Sequence, residues 1–272
     1  MPILKDLAQV LRVHEQGNTS IVAVMLGRRL GQFRVHIKGG RRWPKKGFEF
    51  GFDLLTRGEI LVYPRPDDGL WVFREWDERG RPRFGLSLGA LRIGSFLCEL
   101  SEALTRATSG SHRESDSSDD AEPSPLFDAL SAASDALASR THPGQVALRF
   151  ALRALDAEGL LPDLAHCAEC ETSLGRVPRA AWLSAEGLVC ADCHRKAVAA
   201  KTLTPLRRAP LSALALRVLQ IYASESPLKP VVFSRAAARQ LAAGVIVMVH
   251  TALEHDLRTL AAAARAIAAA GK

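Results

Sequence analysis

The chain has 272 residues, 47% of them hydrophobic and 24% charged, with a formal net charge of +7 and a pI near 9.5. That length and apolar content suffice for two small domains with real cores and exclude wholesale disorder. The excess of base points to an anionic partner. MPILKDLAQVLRV at the start carries charge inside its apolar stretch and lacks the h-region of a signal peptide. Leu241 to Val249 is the longest apolar run and is too short to span a bilayer. No membrane association is expected, and the chain reads as cytoplasmic. Asn18-Thr19-Ser20 matches a glycosylation sequon that means nothing in that setting.

Residues 9 to about 76 read as short strands. Val10, Leu11 and Val13 open the first, and Gln16-Gly17-Asn18 supplies a turn. Ser20 to Leu26 is a continuous buried-strand run, with Gly27 to Gly31 as a hairpin tip. Phe33, Val35 and Ile37 then alternate with Arg34, His36 and Lys38, the pattern of a half-buried strand. Phe48, Phe50, Phe52 and Leu54 alternate again, and Glu59 to Tyr63 and Leu70 to Trp76 complete the set. About five glycine-punctuated strands in this length suggest a small barrel of the oligonucleotide-binding (OB) kind over residues 1–80, although strand count also permits an SH3-like barrel.

Between Arg28 and Lys46 stand Arg28, Arg29, Arg34, Lys38, Arg41, Arg42, Lys45 and Lys46, with no acidic residue. Phosphate suits this set, because guanidinium offers a bidentate fork and ammonium a point charge. Trp43 adds a π-face on which a base can stack. A solvated charge run is the bland alternative; basic loop, tryptophan and barrel together favour nucleic acid.

From residue 81 onward the pattern is helical. Leu88, Leu91, Leu97, Leu100 and Leu104 recur three to four apart, and Cys98 reads as a small core residue. Gly85-Leu86-Ser87-Leu88-Gly89 matches a nucleophile elbow but lacks the α/β sheet and partner residues that hydrolase chemistry needs. Residues 109–125 (SGSHRESDSSDDAEPSP) are acidic and low in complexity and read as a flexible loop. Helices are expected over Leu126–Ala138, over Gln145–Glu158 with Gly159 as C-cap, over Leu211–Tyr222, and over Ser234–Ala270, where Gly244 is a candidate break.

The most specific motif lies among these helices, in a module spanning 163–196. Cys167-x-x-Cys170 and Cys190-x-x-Cys193 are separated by nineteen residues, the spacing of a two-pair zinc site. Four thiolates fill the tetrahedron and leave no open position, so the ion is structural. Two disulfides or a redox pair are the alternatives. His166 and His194 flank the cysteines as outer-shell or exposed residues.

Taken together, these stretches resemble the RecO family of bacterial recombination mediators. The resemblance is carried by Leu11-Arg12-Val13, Val35 to Arg42 (VHIKGGRR), Leu148-Arg149-Phe150 and Leu160 to Cys170 (LLPDLAHCAEC). Leu188 to Cys193 (LVCADC) and Leu253 to Leu257 (LEHDL) match more loosely. It implies an N-terminal OB-fold followed by an α-helical domain (81–272) carrying the zinc module. It also implies binding of single- and double-stranded DNA, strand annealing, partnership with RecR, and loading of RecA onto DNA coated by single-strand-binding protein, in a nucleoid-associated setting without bond chemistry. The acidic tail of that coating protein would need an apolar groove rimmed by cations, for which Arg207, Arg208 and Arg217 are candidates. The family's usual Leu-x-Pro-Phe is replaced here by Phe48 to Leu54, and the acidic insert is unusually long. An RNA- or ribosome-associated OB-plus-zinc protein is the alternative class, and a scaffold docking an acidic protein is a third.

Overall fold

A computed structural model describes residues 3–40, 52–65, 69–80, 87–108, 122–174, 180–200, 208–224, 231–253 and 255–272. Its N-terminal part is a closed barrel of β1 (Leu4–Gln16), β2 (Ser20–Gly27), β3 (Gly31–Ile37), β4 (Arg57–Tyr63) and β5 (Leu70–Gly80). The order β1-β2-β3-β5-β4, closed by an antiparallel β1–β4 pair and a parallel β3–β5 pair, is OB-like. Ala23, Met25, Phe33, Val35, Ile37, Ile60 and Trp76 fill the interior.

A bulge at Leu11 sets the faces of β1. Val10 pairs with Met25 and points inward, Leu11 is the extra residue, and Arg12 pairs with Val24. One inserted residue flips every later side chain of the strand. Leu11 itself joins Val24, Leu26 and Leu55 in the core of the helical part, so the barrel's back and the helices share one apolar interior.

The helical part begins with α1 (Leu88–Thr108), which buries Ile93, Phe96, Leu97, Leu100 and Leu104. Leu88 and Leu91, which belong to the same sequence period, stand exposed. α2 (Pro125–Ala138) starts at the N-cap Ser124, whose hydroxyl accepts the Phe127 N–H, with Pro125 where no amide hydrogen is needed. α3 (Pro143–Ala157) ends at Gly159, whose φ of 69° lets the Leu160 N–H reach the Leu155 carbonyl. α4 (Ala191–Ala199), α5 (Ala213–Ala223), α6 (Arg235–Ala252) and α7 (Leu260–Ala268) follow, with a three-stranded sheet of β6 (Ala181–Ser184), β7 (Gly187–Cys190) and β8 (Ala209–Leu211) in the order β7-β6-β8.

Several details differ from the sequence expectation. Phe52 and Leu54 do not continue a strand: Leu55 has a φ of 65°, which turns the chain and sends its side chain into the helical core. Phe48 and Phe50 lie outside the described residues. Leu211 ends β8 rather than starting a helix, and Ser212 caps α5 instead. Gly244 does not break α6; a β-carbon there would make ordinary contact with Leu183 and Leu211, so the position is close packing against the small sheet. The described end of the acidic segment, from Glu122, leads directly into the Ser124 cap. No helix among the described residues is long and apolar enough to cross a membrane.

Candidate nucleic-acid face and metal centre

The β2–β3 hairpin tip is built on a buried acid. Asp6 accepts the backbone N–H groups of Arg29 and Leu30, each at 2.9 Å, and that of Leu7 at 2.8 Å. Burial pushes its pKa up, partly offset by these three N–H donors. Gly27 leaves room for the carboxylate, since a β-carbon there would stand 2.4 Å from Asp6 Oδ2. The tip therefore has a fixed shape and projects Arg28 and Arg29 into solvent. Arg28 leans back toward α2, with Nε 3.4 Å from Asp128 Oδ1 and its carbonyl accepting the Ser124 N–H at 2.6 Å.

Along β3, Arg34 faces outward between buried Phe33 and Val35, and Lys38 continues the same side just past the strand. Gly39, with a φ of 74°, then turns the chain. Neither Arg34 nor Lys38 has a carboxylate partner among the described residues. The structure thus brings Arg34 on β3 and Lys38 just past its end onto one side, and Arg28 and Arg29 onto the adjoining turn. Arg41, Arg42, Trp43, Lys45 and Lys46 lie outside the described residues, as does Arg207. Of the two remaining candidates for a partner groove, Arg217 is exposed on α5, and Arg208 Nη1 sits 3.5 Å from His194 Nδ1 with its Nε buried and unpartnered.

The four module cysteines converge. Their sulfurs all lie within 4.8 Å of one another, and Cys170 Sγ is 3.8 Å from Cys190 Sγ. A tetrahedron with metal–sulfur bonds of about 2.3 Å has edges of about 3.8 Å. All four thiols are free, so the disulfide alternative does not hold. The first pair sits in a knuckle closed by Cys167 N–H to Thr172 O (3.0 Å) and Glu171 N–H to Cys167 O (2.8 Å), with Glu171 at a φ of 57°. The second pair is the end of β7 and the first turn of α4, where the Cys193 N–H points at Cys190 Sγ at 3.4 Å. The Cys190 N–H similarly donates to Cys167 Sγ at 3.3 Å. N–H donors and a helix N-terminus both favour thiolate over thiol. Hydrogen bonding by Thr172 draws the exposed Cys170 thiol down to about 6, whereas hydrogen bonding to Cys170 and Cys190 pushes Cys193 up. These residues fit a four-sulfur metal site.

The flanking histidines stand outside the sulfur set. His166 Nδ1 is 2.8 Å from Asp163 Oδ2, and His194 stacks flat on Trp182 with ring centroids 3.9 Å apart. Cys98 is remote from the module and wholly buried in α1, and desolvation pushes its pKa well above the ordinary thiol value. Sequence reasoning missed Arg12 and His14, whose outward aim depends on the bulge at Leu11. It also missed a groove between α2 and α3 of about 340 Å³, lined by Ala129, Ala133, Val146 and Phe150 with Arg149 and Arg153 beside them.

A family profile described as "Recombination protein O C terminal" matches residues 86–261, the span that holds α1 to α6 and the cysteine centre and ends at the start of α7. The chain belongs to the RecO family. It is 30% identical over 191 residues to a protein named DNA repair protein RecO from Rhodopirellula baltica, covering 69% of this chain and 66% of that one. It is 33% identical over 201 residues to the DNA repair protein RecO of Acidithiobacillus ferrooxidans, with 68% and 67% covered. A third relative of that name, from a Nocardioides species, is 27% identical over 205 residues, with 71% and 75% covered. The chain thus spans roughly two thirds to three quarters of the length of these relatives and is a DNA repair and recombination protein.

Proposed function

We propose that this chain is a recombination mediator that binds DNA on its OB-like barrel, anneals complementary single strands and, with RecR, loads RecA onto DNA coated by single-strand-binding protein. The observation that carries the reading is the line of Arg34 and Lys38 beside the Arg28–Arg29 turn, on a barrel of nucleic-acid-binding topology within a RecO-family chain. Phosphates are held by these residues together with Arg41, Arg42, Lys45 and Lys46, and Trp43 stacks on a base. Annealing follows from screening two backbones so that pairing proceeds, and it needs no acid, base or nucleophile. The protein acts in the cytoplasm at the nucleoid, with the barrel (1–80) and the helical part (81–272) as its two working units.

The ion of the cysteine centre is zinc in this reading, bound by Cys167, Cys170, Cys190 and Cys193 to hold the module together. The sulfur spacing and the all-thiolate donor set support this choice. Bound zinc would supply fold energy and fix the knuckles against β7.

For the acidic, apolar tail of single-strand-binding protein, the α2–α3 groove is better suited than the neighbourhood of Arg208, which is turned toward His194. Arg149 and Arg153 of α3 stand beside this groove as cations for the tail's carboxylates, while Asp128 of α2, which also lines it, pairs with Arg28.

The test is an annealing assay on complementary strands coated with single-strand-binding protein, with and without RecR, comparing wild type and Arg149→Glu. The reading requires annealing by wild type and a selective loss for Arg149→Glu on coated strands. No annealing by wild type on bare or coated strands would refute it.

A further inference from the structure

The outer face of β1, β2 and β3 carries two lanes rather than one. Cross-strand pairing aligns Arg12, Val24 and Arg34 in one row and His14, Val22 and His36 in the next. Directly paired residues share a face, so Arg34, His36 and Lys38 form one lane along β3. Arg12 and His14 form another along β1, about 10 Å away across two strand spacings. Val22, between the two histidines, is buried yet belongs to neither apolar core.

The β1 lane opens into a groove of about 590 Å³ between the barrel and the helical part, where Arg106 of α1 and Arg258 and His255 of the segment before α7 join Arg12 and His14. The acids among the described residues lining this wall are already engaged. Glu102 is paired with Arg12 and Arg106, Glu99 accepts the N–H groups of Arg258 and Thr259, and Asp256 pairs with His250 at 2.9 Å. The side chains of His14 and Arg258 are exposed and carry no partner among the described residues. Unclaimed N–H donors that converge on a groove from two parts of the fold suit a phosphodiester.

We propose that the β1 lane and this groove form a second site for a phosphodiester backbone, separate from the β3 lane, with His14 and Arg258 as contact residues. The inference rests on the DNA-binding reading. The backbone held there is either the far part of one long strand or a second strand being paired.

The experiment compares wild type, His14→Ala/Arg258→Ala and His14→Lys/Arg258→Lys, with thermal melts to establish that all three are folded. Binding is measured with single strands of about 8 and about 30 nucleotides, lengths within and beyond the footprint of one OB fold. Annealing rates are measured in parallel. If one strand fills both lanes, the alanine variant keeps its affinity for the short strand, loses at least fivefold for the long one, and its salt slope becomes shallower by about 0.7 to 1.4. If a second strand fills the groove, binding is unchanged and annealing slows at least fivefold. In either case the lysine variant restores the loss. Long-strand affinity and annealing both within twofold of wild type would overturn the second site. A wild-type chain that binds neither oligomer would remove the underlying DNA-binding reading instead.

Discussion

Thr259 donates its backbone N–H to Glu99 Oε2 at 2.9 Å, joining the first helix of the bundle to the start of the last. The Arg258 N–H is on the other carboxylate oxygen at 3.0 Å, and the Thr259 hydroxyl closes the clasp. Partial burial raises the pKa of Glu99, but these three bonds and the nearby Arg12 charge outweigh it and hold the carboxyl below the usual glutamate value. A depressed folded-state pKa contributes stability that is complete above the unfolded value and is lost as pH falls through the folded one. Wild type should therefore lose more of its melting temperature between pH 5 and pH 3 than Glu99→Gln does. At pH 7, Glu99→Ala should cost about 1 kcal/mol, the scale of a lost helix cap, or roughly 2–4 °C in a chain of this size.

Asp6 offers a second stability test, this time of the basic turn. Asp6→Ala strands the N–H groups of Arg29 and Leu30, which should cost about 1–3 kcal/mol. DNA affinity should fall with it, because the turn no longer has one shape. The acid's raised pKa has the opposite sign to that of Glu99: its share of stability declines as pH rises from the ordinary aspartate range through the folded value. Melts of wild type and Asp6→Ala across pH 3–7 should differ least at the top of that range.

The cysteine centre predicts a simple stoichiometry. Purified chain should hold one zinc, and cobalt in its place should show the absorption of a tetrahedral thiolate site. Cys167→Ser should abolish binding and lower stability by several kcal/mol, as metal binding to such sites is worth about 10–16 kcal/mol in isolated fingers. Cys98→Ser should keep the metal, because that thiol is packed inside α1. A metal-free Cys167→Ser protein that melts like wild type would contradict a structural role.

Much of this was legible in the sequence because it is local. Alternation of Phe33, Val35 and Ile37 marks β3, and the two Cys-x-x-Cys pairs fix four ligands without any tertiary information. What was not legible depends on contacts far along the chain. Phe52 and Leu54 continue an alternating pattern, yet the chain turns at Leu55 because the helical core takes that side chain. Gly244 looks like a breaker until β6 and β8 are seen to lie against it. The outward aim of Arg12 and His14 rests on one bulge residue, and the α2–α3 groove exists only once Ala129 and Ala133 face Val146 and Phe150. Small residues at helical spacing read as ordinary packing until the partner helix is in place.

A phosphate backbone lying along the cations of the barrel must make single-strand binding depend on salt. If about four phosphates are neutralised, log affinity should fall with log salt at a slope of about −3. Arg34→Glu/Lys38→Glu and Arg41→Glu/Arg42→Glu should each weaken binding and flatten that slope while the melting temperature holds. Unchanged affinity and slope in both variants would contradict the account.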